Sequence, residues 1–223
     1  SDGAMDALAE ALRTIEVWPV TTNAALLANL LDHPDARDGV ATTNLVEDDL
    51  EDLTAIDDAE LADALVLGAA GIQALAAKDG ADPWSVADGF RINGAARATF
   101  VFEIGGEIRT VRLETNADGS RHAHIAGEAF DIDIEATAVP GGVLMAAVIA
   151  DMEAVGVVRD LPGGPVLFTR GRAVALRPPE LGLALEGLEA GDDIRAPMPG
   201  KVLDVKALVG AEVKKGAALV VME

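Results

Sequence analysis

The chain has 223 residues, of which 50% are hydrophobic, so it is long enough to bury the core of one large domain or two small ones. Its 17 Lys/Arg and 38 Asp/Glu residues give a formal net charge of −21, which disfavours binding to nucleic acid or to an anionic membrane surface because like charges repel. The absence of cysteine excludes disulfides, thiolate catalysis and Cys-ligated zinc, and with the lack of a signal-peptide pattern it leads us to expect a cytoplasmic protein.

Residues 1–56 are predicted to form a helical segment. A helix should begin near Thr22 or Asn23, either of which is a good N-cap, and end before Pro34, because a residue that precedes proline disfavours the helical conformation. Nine acidic residues and no basic one occur from Glu47 to Asp63. We interpret this run as a solvated helix face.

Residues 57–78 are predicted to form a helix without a polar face. The first turn is acidic, Lys78 lies near the end, and apolar residues occupy nearly every side between them. A helix of this kind should be enclosed by protein all round. Its apolar run, residues 64–77, is shorter than the roughly 20 residues that span a bilayer.

Between residues 90 and 178 the hydrophobic period changes to two, which predicts β-strands. Gly105-Gly106 is typical of a hairpin turn, and the apolar side chains of a later strand, Phe130, Ile132 and Ile134, alternate with acidic ones. Short strands at regular spacing predict an antiparallel meander that closes into a barrel. Since barrel and helix would cover each other's apolar surfaces, we predict a mainly β (α+β) fold with an antiparallel β-barrel around a central helix.

No residue pattern identifies an active site or a metal site. His122 and His124 would share one face of a strand, but without a third ligand nearby we interpret them as two exposed strand histidines. His33 is interpreted as a helix-end residue, and residues 142–156, which contain two methionines, as a core strand. The sequence contains no phosphate-binding glycine loop, catalytic triad or nucleophile elbow.

The last part of the chain carries the most specific motif. Residues 179–193, rich in Gly, Ala and acids, are predicted to be a linker, and residues 194–223 a separate module. The module begins with APMPG (196–200), continues through Gly210, Val213 and Gly216, and ends in LVVME. This order closely resembles the first half of a biotinyl carrier domain, whose flattened barrel is shared with lipoyl domains. The resemblance implies that Glu223 starts the biotin-attachment motif, and that biotin is attached beyond Glu223.

Two upstream segments extend this resemblance. Residues 17–53 resemble the C-terminal end of a biotin carboxylase domain, and DPWSVADGFRING (82–94) is similar to the domain that joins the two modules. With the carrier motif, they identify the chain as similar to a C-terminal fragment of the alpha subunit of a biotin-dependent acyl-CoA carboxylase, of the methylcrotonyl-CoA, propionyl-CoA or acetyl-CoA type. The middle segment is more similar to the methylcrotonyl-CoA enzymes than to the propionyl-CoA enzymes.

The resemblance implies four parts. These are a remnant of the biotin carboxylase domain (1–56), a subunit-docking domain (57–178, helix 57–78 plus barrel 90–178), the linker (179–193) and the N-terminal half of a biotinyl carrier domain (194–223). The implied partners are a carboxyltransferase beta subunit, the biotin carboxylase domain of the same chain and biotin protein ligase. ATP and Mg would belong to the biotin carboxylase domain, so the fragment alone is expected to be non-catalytic.

Two other functions remain open at this point. The chain could contain a lipoyl-type carrier module of a 2-oxoacid dehydrogenase complex, or it could be a non-catalytic interaction module. The residues that follow Glu223 in the gene separate the carriers, since the biotinyl pattern continues with Ala-Met-Lys-Met and the lipoyl pattern with Asp-Lys-Ala.

Overall fold

The structure, a computed structural model, describes residues 2–77, 94–179, 202–206 and 219–222. The chain forms two compact units, Ser1–Glu180 and Leu181–Glu223. The predicted linker 179–193 and the residue Glu223 therefore fall almost wholly outside the described residues, as do 78–93.

The first unit contains a helical segment, one long helix and a β-meander. Its helices are α1 (Asp2–Arg13), α2 (Ala24–Asp32), α3 (Pro34–Arg37), α4 (Leu45–Asp48), α5 (Leu50–Thr54) and α6 (Asp58–Ala76). Its strands are β1 (Ala96–Ile104), β2 (Glu107–Thr115), β3 (Arg121–Ile125), β4 (Glu128–Val139), β5 (Gly142–Ile149), β6 (Met152–Leu161), β7 (Gly164–Thr169) and β8 (Arg172–Ala175).

The predicted boundaries of α2 are confirmed. Asn23 occupies the N-cap position, but its side chain makes no capping bond; the hydroxyl of Thr22 accepts a hydrogen bond from the Ala24 N–H instead (3.4 Å). The helix ends at Asp32, and Pro34 begins α3 at the first helical position, where a missing N–H costs nothing. A cis peptide bond joins Trp18 to Pro19 in the loop before α2.

Helix α6 lies in the centre of the first unit. The carboxylate of Asp57 caps it by accepting a hydrogen bond from the Glu60 N–H (2.7 Å), and nine consecutive residues, 63–71, are buried. Nine residues pass through two and a half turns, so burial covers every direction around the helix axis. The prediction of an enclosed helix is confirmed. By length and composition alone the helical stretch Leu50–Ala76 could cross a membrane, a test that a buried core helix also passes.

The eight strands form one antiparallel sheet in sequence order, which curls around α6 as a half-barrel. Each strand pairs with the next through a short turn, and Gly105 and Gly106 make the predicted β1–β2 turn with φ of +62° and +80°. The predicted alternation in β4 is also confirmed, since Ile132 is buried in the core while the acids on either side of it are exposed. The inner face of the half-barrel thus supplies the cover that the apolar helix requires.

Closure of the barrel stays a prediction. Among the described residues the strand order begins at β1 and ends at β8, without a ladder between the two. A backbone hydrogen bond does link the ends, from the Glu103 N–H in β1 to the carbonyl oxygen of Arg177 after β8 (3.1 Å).

The interpretation of residues 142–156 as one core strand is half wrong. Met145, in β5, is 1% exposed and belongs to the core, but Met152 begins β6 and is 56% exposed. Ala150 and Asp151 form a turn between the two strands with φ of +48° and +67°. The segment is a hairpin, which sequence reasoning missed because its left-handed residues are not glycines.

The second unit is described only at residues 202–206 and 219–222. There β9 (Val202–Val205) pairs with β10 (Val220–Met222) in an antiparallel ladder, and the Lys206 N–H donates to the carbonyl oxygen of Leu219 (2.8 Å). Two short segments of the terminal module therefore adopt strand conformation and pair with each other.

Candidate functional site

The described residues contain no group of three or more His, Cys, Asp or Glu placed to hold a metal ion. His122 and His124 do share one face of β3, but each faces a separate carboxylate. His122 Nε2 lies 3.1 Å from Asp131 Oδ1, and His124 Nε2 lies 3.6 Å from Glu114 Oε2. Both imidazoles are about 70% covered, with side-chain exposures of 29% and 28%, so the interpretation as exposed histidines is corrected to half-buried, carboxylate-paired ones.

His33 is at a helix end, as predicted, and serves two helices. It is the C-cap of α2 and the N-cap of α3, where its Nδ1 accepts a hydrogen bond from the Asp35 N–H (3.2 Å). Its Nε2 lies 3.4 Å from Asp49 Oδ2. The ring thus caps α3 with one nitrogen and faces the Asp49 carboxylate with the other.

The turn between β7 and β8 joins the parts of the first unit, and we call it the β7–β8 joint (residues 170–172). Arg170 Nη2 donates to Asp63 Oδ2 in α6 (2.8 Å). Asp63 is only 5% exposed, so the interpretation of all nine acids as a solvated face is wrong at this residue. Burial raises the pKa of the Asp63 carboxyl above its ordinary value, more than the hydrogen bond and charge of Arg170 lower it.

Arg172 ties the same joint to the end of the helical segment. Its Nη2 donates to the carbonyl oxygens of Thr54 (3.2 Å) and Ala55 (2.9 Å), which are free at the C-terminus of α5. Its Nε lies 3.9 Å from Glu60 Oε2 in the first turn of α6. One turn therefore contacts the sheet, the core helix and the helical segment.

Gly171 brings the joint against the helical segment itself. Its N–H donates to the carbonyl oxygen of Arg13 (2.9 Å), and a Cβ at this position would lie 2.8 Å from the carbonyl oxygen of Leu12. Arg159 in β6 adds a second link, since its Nε and Nη2 donate to the two carboxylate oxygens of Glu16 (2.6 and 2.8 Å). The helical segment and the half-barrel are thus packed as one body.

We expect Gly171→Ala to loosen the helical segment from the half-barrel. The substitution combines a left-handed φ of +74° with contacts to backbone atoms that cannot rotate away, and should cost about 2–4 kcal/mol of unfolding free energy. Gly105→Ala is the matched control, because its φ is +62° but nothing lies within 4 Å of the added Cβ. Hydrogen exchange of residues 2–56 should rise in Gly171→Ala only; equal exchange in both variants would contradict the packing described.

A cleft of 580 Å³ lies between the loop before α2 and the last strands of the half-barrel. Its walls are mainly apolar, from Trp18, Leu26, Ile56, Phe168 and Val174. An apolar cleft of this kind suits the packing or recognition of an apolar group.

The predicted cofactor-binding residue, Glu223, lies outside the described residues, so its role stays a prediction. The nearest described element is the β9–β10 ladder, whose second strand ends at Met222. What the residues of this unit show is therefore a two-stranded framework, without a described side chain that holds a ligand.

The range from α6 to the end of the half-barrel resembles a known protein family. The family model described as "Methylcrotonyl-CoA carboxylase, alpha-subunit, BT domain" matches residues 57–180. This range begins at the N-cap of α6 and includes all eight strands of the half-barrel and the β7–β8 joint. No curated protein matches the chain.

Proposed function

The chain belongs to the family of methylcrotonyl-CoA carboxylase alpha subunits with a BT domain, and we propose that its half-barrel docks that alpha subunit onto a carboxyltransferase beta subunit. Members of this family are subunits of biotin-dependent carboxylases, which are ligases. The single observation that carries the proposal is that α6, within the matched range, is buried on all sides. The helix and the sheet around it form a rigid body, and the outer surface of the sheet is available for a partner.

In this proposal the four predicted parts keep their boundaries. Residues 1–56 are the remnant of a biotin carboxylase domain, 57–178 the docking domain, 179–193 the linker, and 194–223 the first half of the carrier. The β7–β8 joint supports a fixed position of the first part on the second, because Arg172 binds the carbonyl oxygens that end α5. A docking domain held this way would also fix where the biotin carboxylase domain sits in the assembly.

The family implies biotin as the cofactor, attached beyond Glu223. When bound, biotin supplies a ring nitrogen that holds a carboxyl group. The paired strands 202–205 and 220–222 fit the framework of a carrier that presents such a group. The contribution of the chain is tethering, because a carrier on a linker meets both sites at a high effective concentration. ATP and Mg are proposed to belong to the biotin carboxylase domain, and biotin protein ligase to recognise the carrier.

The family description favours methylcrotonyl-CoA as the acyl substrate, with propionyl-CoA as the alternative from the sequence resemblance. The acyl-CoA pocket is proposed to lie on the beta subunit, so the residues described here select the partner and not the substrate. The match favours the carboxylase over the lipoyl-type carrier and over the interaction module. We propose a cytoplasmic location.

Co-purification tests the docking proposal. The tagged chain and its cognate beta subunit should elute together at a fixed ratio from a sizing column. Because a chain of charge −21 attracts basic proteins at low salt, the experiment is repeated in about 0.5 M NaCl, where the screening length falls to a few Å. A complex that persists supports docking; separate elution in both salts would overturn the proposal.

A further inference from the structure

The outer face of the half-barrel has an uncovered apolar region on β5 and β6, which we call the β5–β6 patch. It consists of the outward-facing side chains Leu144, Ala146, Val148, Val155 and Val157. In the register of the sheet Ala146 faces Val155 and Leu144 faces Val157. Val148 is 41% exposed and Val155 57%, although β-branched residues on strands usually face a packed surface.

The patch continues an apolar surface that is already covered one strand away. In β7, Phe168 pairs with Val157 and also points outward, yet it is only 7% exposed. Phe168 lines the cleft beside the loop before α2, and Arg159 next to it binds Glu16, so the helical segment covers this part of the sheet. The outer face is therefore built as a packing face, and within the described residues the helical segment covers only its β7 side.

Acidic side chains border the patch on its β4 side and at its end near the β5–β6 turn. Asp133 on β4 and Glu153 on β6 both pair with Val148, while Glu135 on β4 pairs with Ala146, and all three acids are exposed. No salt bridge joins these three carboxylates to a basic side chain of the described residues. A surface that fits the patch would thus be apolar in its middle and carry Lys or Arg on the side that meets β4.

We propose that the β5–β6 patch is the contact face for the carboxyltransferase beta subunit, whose matching surface is apolar with a basic border. This inference rests on the proposed docking function and adds the place and chemistry of the contact. A single exposed valine is common on protein surfaces and needs no explanation. Here three exposed apolar residues lie together on adjacent strands and continue a face that is already covered, which fits the core of a protein interface. The acids that border them, which form no salt bridge with the described residues, fit its polar rim.

Thiol footprinting tests the patch directly, because the chain contains no cysteine. Val155→Cys places a single thiol in the patch, and Val40→Cys, 63% exposed in the helical segment, is the matched control. Each variant chain is labelled with a maleimide alone and with the cognate beta subunit, and labelling is read by mass spectrometry of this chain. We expect the beta subunit to slow labelling at residue 155 about ten-fold or more and to leave residue 40 unchanged.

A second pair of variants measures the energy of the contact. Val155→Glu should weaken beta-subunit binding about ten-fold or more, as expected when a charge enters an interface core, and Val40→Glu should not. Val148→Thr/Val155→Thr keeps β-branched side chains, so it tests the loss of apolar contact if the glutamate variant melts at a lower temperature. Glu135→Lys should slow association and reduce its dependence on salt.

The outcomes separate this inference from the docking proposal. If the unmodified chain forms no complex, both fail. If the complex forms but the thiol of Val155→Cys labels equally fast with and without the beta subunit, docking stands and the patch assignment is overturned. If that thiol is already protected in the free chain, the patch is covered by a second copy or by the chain itself, and the assignment is again overturned.

Discussion

Gly71→Ala is expected to lower the free energy of unfolding by about 2 kcal/mol. A Cβ at residue 71 would lie 2.3 Å from Val158 Cγ2 and 2.9 Å from Val158 Cβ, and Val158 is a fully buried, stiff β-branched side chain on β6. Overpacking of this kind costs about 1–3 kcal/mol or more, and the better helix propensity of alanine returns only about 1 kcal/mol. Gly71 therefore sets how closely α6 approaches the sheet.

Urea unfolding of four variants, Gly71→Ala, Gly68→Ala, Val158→Ala and Gly71→Ala/Val158→Ala, tests this prediction. Gly68→Ala is the control on the same helix, because its Cβ would meet Leu176 at Cδ2 (2.6 Å) and Cδ1 (3.2 Å), the far end of a side chain that is longer and less stiff than that of Val158. We expect a loss below about 1 kcal/mol there. Gly71→Ala/Val158→Ala should be more stable than the sum of the two single variants predicts, because the two residues share one contact. A Gly71→Ala variant as stable as the unmodified chain would contradict the approach of α6 to β6.

Arg170→Met is expected to cost about 2–3 kcal/mol of unfolding free energy at neutral pH, whereas Asp63→Asn should cost less than about 1 kcal/mol. Removing one partner of a buried ion pair leaves the other charge buried without compensation, which typically costs about 3–5 kcal/mol. We expect a value at or below the low end because the Arg170 side chain is 40% exposed. Asparagine keeps the shape of Asp63 without its charge, so Asp63→Asn leaves no charge buried in α6 and should be tolerated.

The pH dependence gives a second readout. Because burial raises the pKa of Asp63 in the folded state, the folded protein binds this proton more tightly than the unfolded chain does. The contribution of Asp63 to stability therefore falls as the pH rises from the ordinary aspartate range, near 3.9, through its raised folded pKa. Loss of Arg170 removes the hydrogen bond and the charge that lower this pKa, so the penalty of Arg170→Met should shrink on acidification. Two results would contradict this account. One is a loss of unfolding free energy in Arg170→Met that is constant between about pH 4 and 8. The other is an equally large loss when Asp63→Asn/Arg170→Met is compared with Asp63→Asn.

Much of the fold follows from local sequence patterns. The enclosed helix was predictable because residues 64–71 offer no polar side, and the β1–β2 hairpin because two adjacent glycines allow a positive φ. The Ala150–Asp151 turn was not, since residues with a side chain rarely adopt φ near +50° and nothing nearby marks them. Helices, strands and turns were thus predictable where the residue types themselves restrict the backbone conformation.

Features that depend on distant partners could not be predicted. Asp63 belongs to a run of nine acids, and only Arg170, 107 residues later, distinguishes it as buried. His122 faces Asp131 because of the β3–β4 register, which no single strand pattern fixes. The candidate docking surface is of the same type: the strands are predictable, but which outer strand is left uncovered depends on where the helical segment packs. The attachment motif at Glu223 was reached by resemblance, and it stays a prediction.

The order of α6 and its cover along the chain has a consequence for biosynthesis. Helix α6 emerges from the ribosome before the strands that cover it, and about 90 residues must follow Ala76 before β7 is complete at Thr169. At translation rates of about 5–20 residues per second, α6 is exposed for roughly 5–20 s before the strands that cover it are synthesised. We expect this interval to demand a chaperone, and faster decoding of residues 77–169 to raise the soluble yield.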